Sequence, residues 1–170
     1  MEAELRDKLT NIKTLILPFD GILTDGYVYL NAHEEEIIRY SQRDLEGIQL
    51  LLGMGIRTII FTINKSQMIH HICQKVKVTC WHIHEKTGSC RKAILELLAD
   101  KSNAQSEVAY IGSKLNDLEA MKLVGAKISV EDSHPKIHSL SDYITKKPGG
   151  CHAVREVCDL ILEAKKVYEE

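Results

Sequence analysis

With 170 residues, 44% hydrophobic and 27% charged, the chain has the length for one domain with a buried core and the composition of an ordinary globular protein. A net charge of −2 gives no reason to expect nucleic acid or an anionic membrane as partner, and no apolar run approaches the roughly 20 residues that span a bilayer. Five cysteines at 73, 80, 90, 151 and 158 are an odd count without framework spacing, which points to free thiols in the cytoplasm or nucleus. The mixed-charge N-terminus lacks the apolar region of a signal peptide.

Residues 2–11 read as a charged lead-in of one or two helical turns. The apolar run 14–17 is rich in branched side chains and stops at Pro18 and Gly21, the pattern of a buried strand. An alternating pair, 27–30 and 36–40, reads as a hairpin with its turn at 31–34. Ser41 caps a helix through Leu45, Ile48, Leu51 and Leu52, ending near Gly53 or Gly55. A second core strand, 57–61, carries Thr62 at its tip. Ser66 caps a helix through Ile69, Ile72 and Val76. Then come a short strand at 78–82, a helix at 89–98 and a buried strand at 108–111 closed by Gly112. A helix at 116–124 ends at Gly125, a good residue for that position. Strands at 126–130 and 143–144 follow, and Pro148 to Gly150 turn the chain into a last amphipathic helix at 153–168. Strands alternating with helices of this length predict a parallel α/β sheet covered on both faces, one domain over 1–170.

Ligands of such a sheet bind beyond the carboxyl ends of its strands. The loop after the first strand carries Asp20, Thr24 and Asp25 there, Thr62 ends the second strand, and Gly112 to Asp117 end another. Each has a structural reading beside the chemical one. Asp20 and Asp25 suit a turn, Thr62 suits a strand end, and Asn116 and Asp117 suit a helix N-terminus. Thr62, Lys65 and Lys114 together offer a small anion pocket. Cys80, His82 and His84 alternate along a strand and offer three donors that zinc accepts. His70 and His71 point two ways from a helix and read as surface.

The string from Thr14 to Gly26, the run Gly112, Ser113, Lys114, Leu115, Asn116, Asp117, and the tail from Lys147 to Val157 resemble the haloacid-dehalogenase (HAD) phosphatases. The resemblance is closest to the branch that dephosphorylates 3-deoxy-octulosonate 8-phosphate (KDO 8-phosphate). It implies a HAD-like, Rossmann-like sheet with a small hairpin, 27–40, in place of a cap domain. It also implies a nucleophilic aspartate at the first strand's tip, a general acid/base two residues on, a strand-end hydroxyl, a phosphate-binding lysine and acidic ligands for Mg2+.

Residue by residue, the chemistry is depleted. The nucleophile falls on Pro18, which has no oxygen to attack with. Asp20 holds the acid/base position and Thr62 the hydroxyl position. The lysine aligns with Cys90, with Lys92 two residues away. Ser113 stands where a metal-binding aspartate is expected, Lys114 places a cation beside it, and Asp117 survives. The family's Gly-Gly-Arg-Gly tail reads Gly149, Gly150, Cys151, His152. Losses at several members of one catalytic unit compound. The expectation is therefore a vestigial site (Pro18, Asp20, Thr62, Cys90, Ser113, Asp117) with no metal and no cofactor.

A lone hairpin is marginal in water, and the apolar side chains of 27–40 need somewhere to bury. In the resembled branch this hairpin builds a tetramer, which makes a homotetramer the expected partner state. Degraded chemistry with retained assembly is similar to the C-terminal domain of animal CMP-sialic acid synthetases, a resemblance that implies a tetramerisation module with an attached nucleotidyltransferase domain as partner. The alternative is an active Mg2+-dependent phosphatase on a sugar-acid phosphate. A third reading keeps the pocket as a sensor of a sugar acid or nucleotide sugar.

Overall fold

The computed structural model describes residues 1–83 and 88–166. Its elements are α1 (Ala3–Thr10), β1 (Thr14–Pro18), β2 (Tyr29–Leu30), β3 (Glu36–Ile37), α2 (Gln42–Gly53), β4 (Arg57–Thr62), α3 (Gln67–Val76), β5 (Thr79–His82) and α4 (Cys90–Ala99). They continue with β6 (Val108–Gly112), α5 (Leu118–Met121), β7 (Ala126–Ser129), α6 (Pro135–His138), β8 (Tyr143–Ile144) and α7 (Ala153–Ala164). Six strands form one sheet in the order β5-β4-β1-β6-β7-β8. Every pairing in it is parallel.

Alternation along each central strand divides the core in two. Leu15, Leu17, Ile60, Ala109 and Ile111 face a layer built with α1, α2, α3 and α7. Ile16, Ile59, Phe61, Val108 and Tyr110 face the other layer, with α4, α5 and α6. The two-residue period of a strand produces this split, and burial on both faces explains why these strands read as continuous apolar runs. Each such Leu or Ile contributes roughly 1.5–3 kcal/mol by leaving water.

Ser41 and Ser66 cap α2 and α3 as their sequence predicts, accepting the N–H of Asp44 and of Met68. Ser89 does the same for α4 through the N–H of Lys92. Helix α7 has no cap of its own. Instead Asp44, fully buried on α2, accepts the Arg155 N–H at 2.7 Å and locks the two helices together.

Four expectations change. The helix predicted at 116–124 is a single tight turn, Leu115–Asp117, followed by the four residues of α5. Its exit is made of short i+3 bonds, Leu123 N–H to Ala120 and Val124 N–H to Met121, and the Gly125 N–H then joins Val108 of the sheet. Helix α6 was not foreseen, although Pro135 at its first position is a standard start signal. The hairpin strands shrink to the pairs Tyr29–Ile37 and Leu30–Glu36, whose side chains are exposed and gain little from ordering. The last helix stops at Ala164, short of the predicted 168, because the chain turns at Lys165 and Lys166, the latter at φ +57°.

Candidate functional site

Strands β4, β1 and β6 lie side by side, so their carboxyl ends deliver three loops to one place. Pro18 is the last residue of β1 and pairs with Phe61 of β4. A wide turn, Phe19–Leu23, follows, with Gly21 at φ +84° in the left-handed region that a side chain disfavours. The buried Thr24 hydroxyl accepts the N–H groups of Gly21 and Gly26, both at 3.2 Å, and closes the turn. The tail then presses on it. The Gly149 Cα sits against the Gly21 carbonyl so closely that a Cβ there would collide with it. The Gly150 N–H donates to Ile22 at 2.9 Å and the Gly149 N–H to Asp132 at 3.0 Å.

Between these loops is a cavity of about 100 Å³. A single water needs roughly 10–15 Å³, so a phosphate-sized group fits. Pro18 and Asp20 line it from the first loop, Phe61, Thr62 and Ile63 from the second, and Lys114, Asn116 and Asp117 from the third, with Cys90 and Ile83 completing the wall. A broader hollow of about 610 Å³ continues from Ile63, Ile83, Cys90 and Asn116 toward Arg91 and Leu115.

Most of the predicted site residues therefore converge: Pro18, Asp20, Thr62, Cys90, Lys114 and Asp117 share one cavity. Lys65 does not join them; it is exposed and outside the lining, so the anion pocket reduces to Thr62 and Lys114. Lys92 does not substitute for the lysine replaced by Cys90, because it lines a separate hollow with Trp81, His82 and Glu96. Asp25 takes its structural reading: it accepts the Tyr27 N–H at 3.1 Å and pairs with Arg39 at 3.1 Å, at the base of the hairpin. Asp20 makes no hydrogen bond to the described side chains or backbone.

Asp117 is buried and heavily used. One oxygen accepts the Tyr110 hydroxyl at 2.8 Å; the other accepts the N–H groups of Ser113 at 3.0 Å and Lys114 at 2.9 Å. About three of a carboxylate's four acceptor positions are thus taken. Burial, then the Asp117 charge, drives the Tyr110 hydroxyl well above its ordinary range, so it stays a donor. Burial likewise raises the Cys90 thiol, which leaves it protonated and a poor nucleophile at neutral pH. Thr62 is buried, and its hydroxyl accepts the Asn64 N–H at 3.0 Å. Ser113 Oγ is buried without a partner among the described residues.

A hard divalent cation takes carboxylate and carbonyl oxygens. This donor set does not fit one. Pro18 offers no side-chain oxygen, Ser113 is neutral, Asp117 is committed to three donors, and the Lys114 chain lies over Gly21. Only Asp20 remains as an uncommitted carboxylate in the cavity.

Elsewhere, Cys80 Sγ is 3.7 Å from His82 Nε2, while His84 lies outside the described residues. No group of three or more metal-type donors occurs among the described residues. His70 and His71 are on the surface, as expected, and Cys73 and Cys158 are core residues. Burial pushes the Cys73 thiol up to about 12.

The family follows from the sequence of the same loops. A model of the haloacid dehalogenase-like hydrolases matches residues 56–157. The chain belongs to that family. It is 35% identical over 170 residues to the Escherichia coli K12 3-deoxy-D-manno-octulosonate 8-phosphate phosphatase KdsC, covering all of this chain and 89% of the relative. The Salmonella typhi enzyme of that name is 36% identical over 170 residues with the same coverage. Among solved structures, the Moraxella catarrhalis phosphatase in complex with magnesium ion, phosphate ion and KDO superposes with a TM-score of 0.90 at 34% identity, over 99% of this chain and 96% of that one. The cobalt-bound Haemophilus influenzae phosphatase gives 0.84 at 28% identity, over 94% and 92%. The resemblance to HAD phosphatases of the KDO 8-phosphate branch is therefore correct, for sequence and for fold.

Within that family fold, three features of the site were missed in the sequence. Tyr110 sits inside an apolar strand and gives no sign of reaching Asp117 and Cys90. The apolar walls Phe61, Ile63 and Ile83 carry no chemical group that would mark a site. The glycine pair of the tail was noted, but not its contact with the first loop, which is far away in sequence.

Proposed function

We propose that this chain is a HAD-fold domain that works through self-assembly and no longer hydrolyses a phosphate monoester by the route of an aspartyl intermediate. The observation that carries this is Pro18. It ends β1 where the family's attacking carboxylate is expected, and the cavity holds no other carboxylate on that strand. The assembly half rests on the hairpin. Tyr27, Val28, Tyr29, Leu30 and Ile37 are all exposed in the single chain, a contiguous apolar ribbon with unpaired edges. A homotetramer is the state expected of it. Attachment to a sialic-acid-activating enzyme is the finer part of this reading. It rests on the pattern of site losses alone, since the relatives named above are all KDO 8-phosphate phosphatases.

Kinship favours a second reading, a working phosphatase on a sugar-acid phosphate. Relatives at 35% identity over the whole chain carry that activity in their names, and Asp20 and Thr62 line the cavity. Asp20 would then serve as the base toward water, and a divalent cation, as in the two structures above, would be the expected cofactor. All five cysteines are free, in keeping with a reducing compartment. No helix among the described residues is long and apolar enough to cross a membrane.

Turnover decides between the two. The first reading expects no hydrolysis of para-nitrophenyl phosphate or KDO 8-phosphate with Mg2+, and a tetramer by light scattering. Hydrolysis abolished by Asp20→Asn establishes the second. A gain-of-function variant, Pro18→Asp with Ser113→Asp and Cys90→Lys, is expected to acquire Mg2+ binding if the lost groups are the cause.

A further inference from the structure

We infer that Cys73 of α3 and Cys80 of β5 are a dithiol that a peroxide closes to an intramolecular disulfide, a modification site set apart from the cavity described above. It is independent of whether the domain hydrolyses a phosphate.

The backbone brings the two cysteines together. Helix α3 ends with Lys77 in the left-handed region at φ +59°. The N–H groups of Val78 and Lys77 return to the carbonyls of Cys73 at 3.0 Å and Gln74 at 3.2 Å. That closure folds the chain back over the last turn of α3 and sets the outgoing Val78 on the Cys73 side. Side chains two apart along an extended chain share a face, so Cys80 follows Val78. Cys73, Val78 and Cys80 accordingly pack into one layer, which also holds Ile60, the register partner of Cys80 on β4. Trp81, one residue on, packs into the opposite layer. Within their layer the two thiols meet as hydrogen-bond partners, with Cys73 the donor.

Their surroundings divide the chemistry. Cys80 is half-buried and its Sγ is 3.7 Å from His82 Nε2, so a small oxidant reaches it and a ring stands by to take its proton. Cys73 is sealed from water, and burial holds its proton more tightly than that of Cys80. The Cys80 sulfur attacks one oxygen of hydrogen peroxide; the O–O bond breaks, water leaves with the thiol proton, and a sulfenic acid stays on Cys80. Cys73 then attacks that sulfur; the S–O bond breaks, and hydroxide departs with the Cys73 proton as a second water. Two electrons have passed from the dithiol to the peroxide. The other three cysteines have different neighbours: Cys90 bonds to Tyr110, Cys151 contacts Arg39, and Cys158 is buried beside Asp44. Strand β5 lies at an edge of the sheet, paired on one side only, and the new bond would fasten it to α3.

The test treats the full chain with a stoichiometric amount of hydrogen peroxide at neutral pH, then blocks the remaining thiols with N-ethylmaleimide in guanidinium. The expected result is a fall from five blocked thiols to three, reversed by dithiothreitol. A non-reducing tryptic digest should link peptides 66–75 and 78–86, lighter by two hydrogens than their sum. The oxidised form should melt about 5 °C higher, because the bond closes a loop of about eight residues. In Cys73→Ala the link is lost and Cys80 accumulates the sulfenic acid that dimedone captures; in Cys80→Ser the buried Cys73 stays reduced. Circular dichroism checks both variants, and the linkage in the parent decides the matter if either fails to fold. Five thiols throughout, a link between another pair, a link formed only in denaturant, or an oxidised form that melts no higher would each overturn the inference.

Discussion

Replacing Asp44 by asparagine separates the charge of that side chain from its shape. Asp44 is fully enclosed between α2 and the start of α7, where it accepts the Arg155 N–H at 2.7 Å, and its second oxygen has no partner among the described residues. Burial pushes its carboxyl up to about 6, although the N–H groups of Arg155, His152 and Val154 pull the other way. An unfolded aspartate titrates near 3.9, so the gap of about two units corresponds to about 3 kcal/mol. A raised acid is bound to its proton more tightly in the folded state. Its contribution to stability is therefore complete below about pH 4 and is lost as the pH rises through about 6. Asparagine keeps an oxygen for the Arg155 N–H and has nothing to titrate. Asp44→Asn is expected to match the parent near pH 4 and to exceed it by up to about 3 kcal/mol at pH 7. Urea unfolding of both proteins across that range reads the difference directly, because every other titration cancels between them. Parallel curves, or a variant less stable at pH 7, would show that the three N–H groups outweigh burial and that the reasoning is wrong.

Other expectations test the loops and the ribbon. Gly149→Ala forces a methyl into the Gly21 carbonyl and should cost about 1–3 kcal/mol, lowering the melting temperature by about 2–4 °C per kcal/mol. An unchanged melting temperature would mean that the two loops do not touch. Tyr110→Phe takes the donor from Asp117 and should cost about 1–3 kcal/mol in denaturant unfolding, with the circular dichroism spectrum preserved. A triple variant, Tyr27→Ser with Leu30→Ser and Ile37→Ser, alters only exposed side chains. It should leave the fold intact and reduce the mass seen by light scattering to that of one chain; a parent that is already a monomer would refute the assembly reading.

How far the sequence discloses this protein depends on the distance over which each feature is specified. The strands and caps are local. Ser41 and Ser66 announce α2 and α3, and the branched runs announce β1, β4 and β6, because capping and two-sided burial act within a few residues. Pro18 and Ser113 are likewise read in place, each in its own loop, and Pro18 lines the cavity. What could not be read is whatever joins remote segments. Asp44 looks like an ordinary first-turn acid of α2, and only the fold brings it under α7. Lys65 sits next to the Thr62 strand end in sequence, yet the chain turns it outward. Asn116 to Val124 has helical spacing, but Asp117 spends its carboxylate on the turn before it and the return to β7 cuts the helix short.

The salt bridge at the root of the hairpin ties the two ends of the chain together. Arg39 holds Asp25 with one nitrogen and lies 3.4 Å from Cys151 Sγ with another, so the foot of the ribbon touches both the loop that precedes it and a turn more than a hundred residues later. The ribbon is a signpost whose post is planted in the tail. Oxidising Cys151 would remove that second contact while leaving each of the ribbon's own residues untouched.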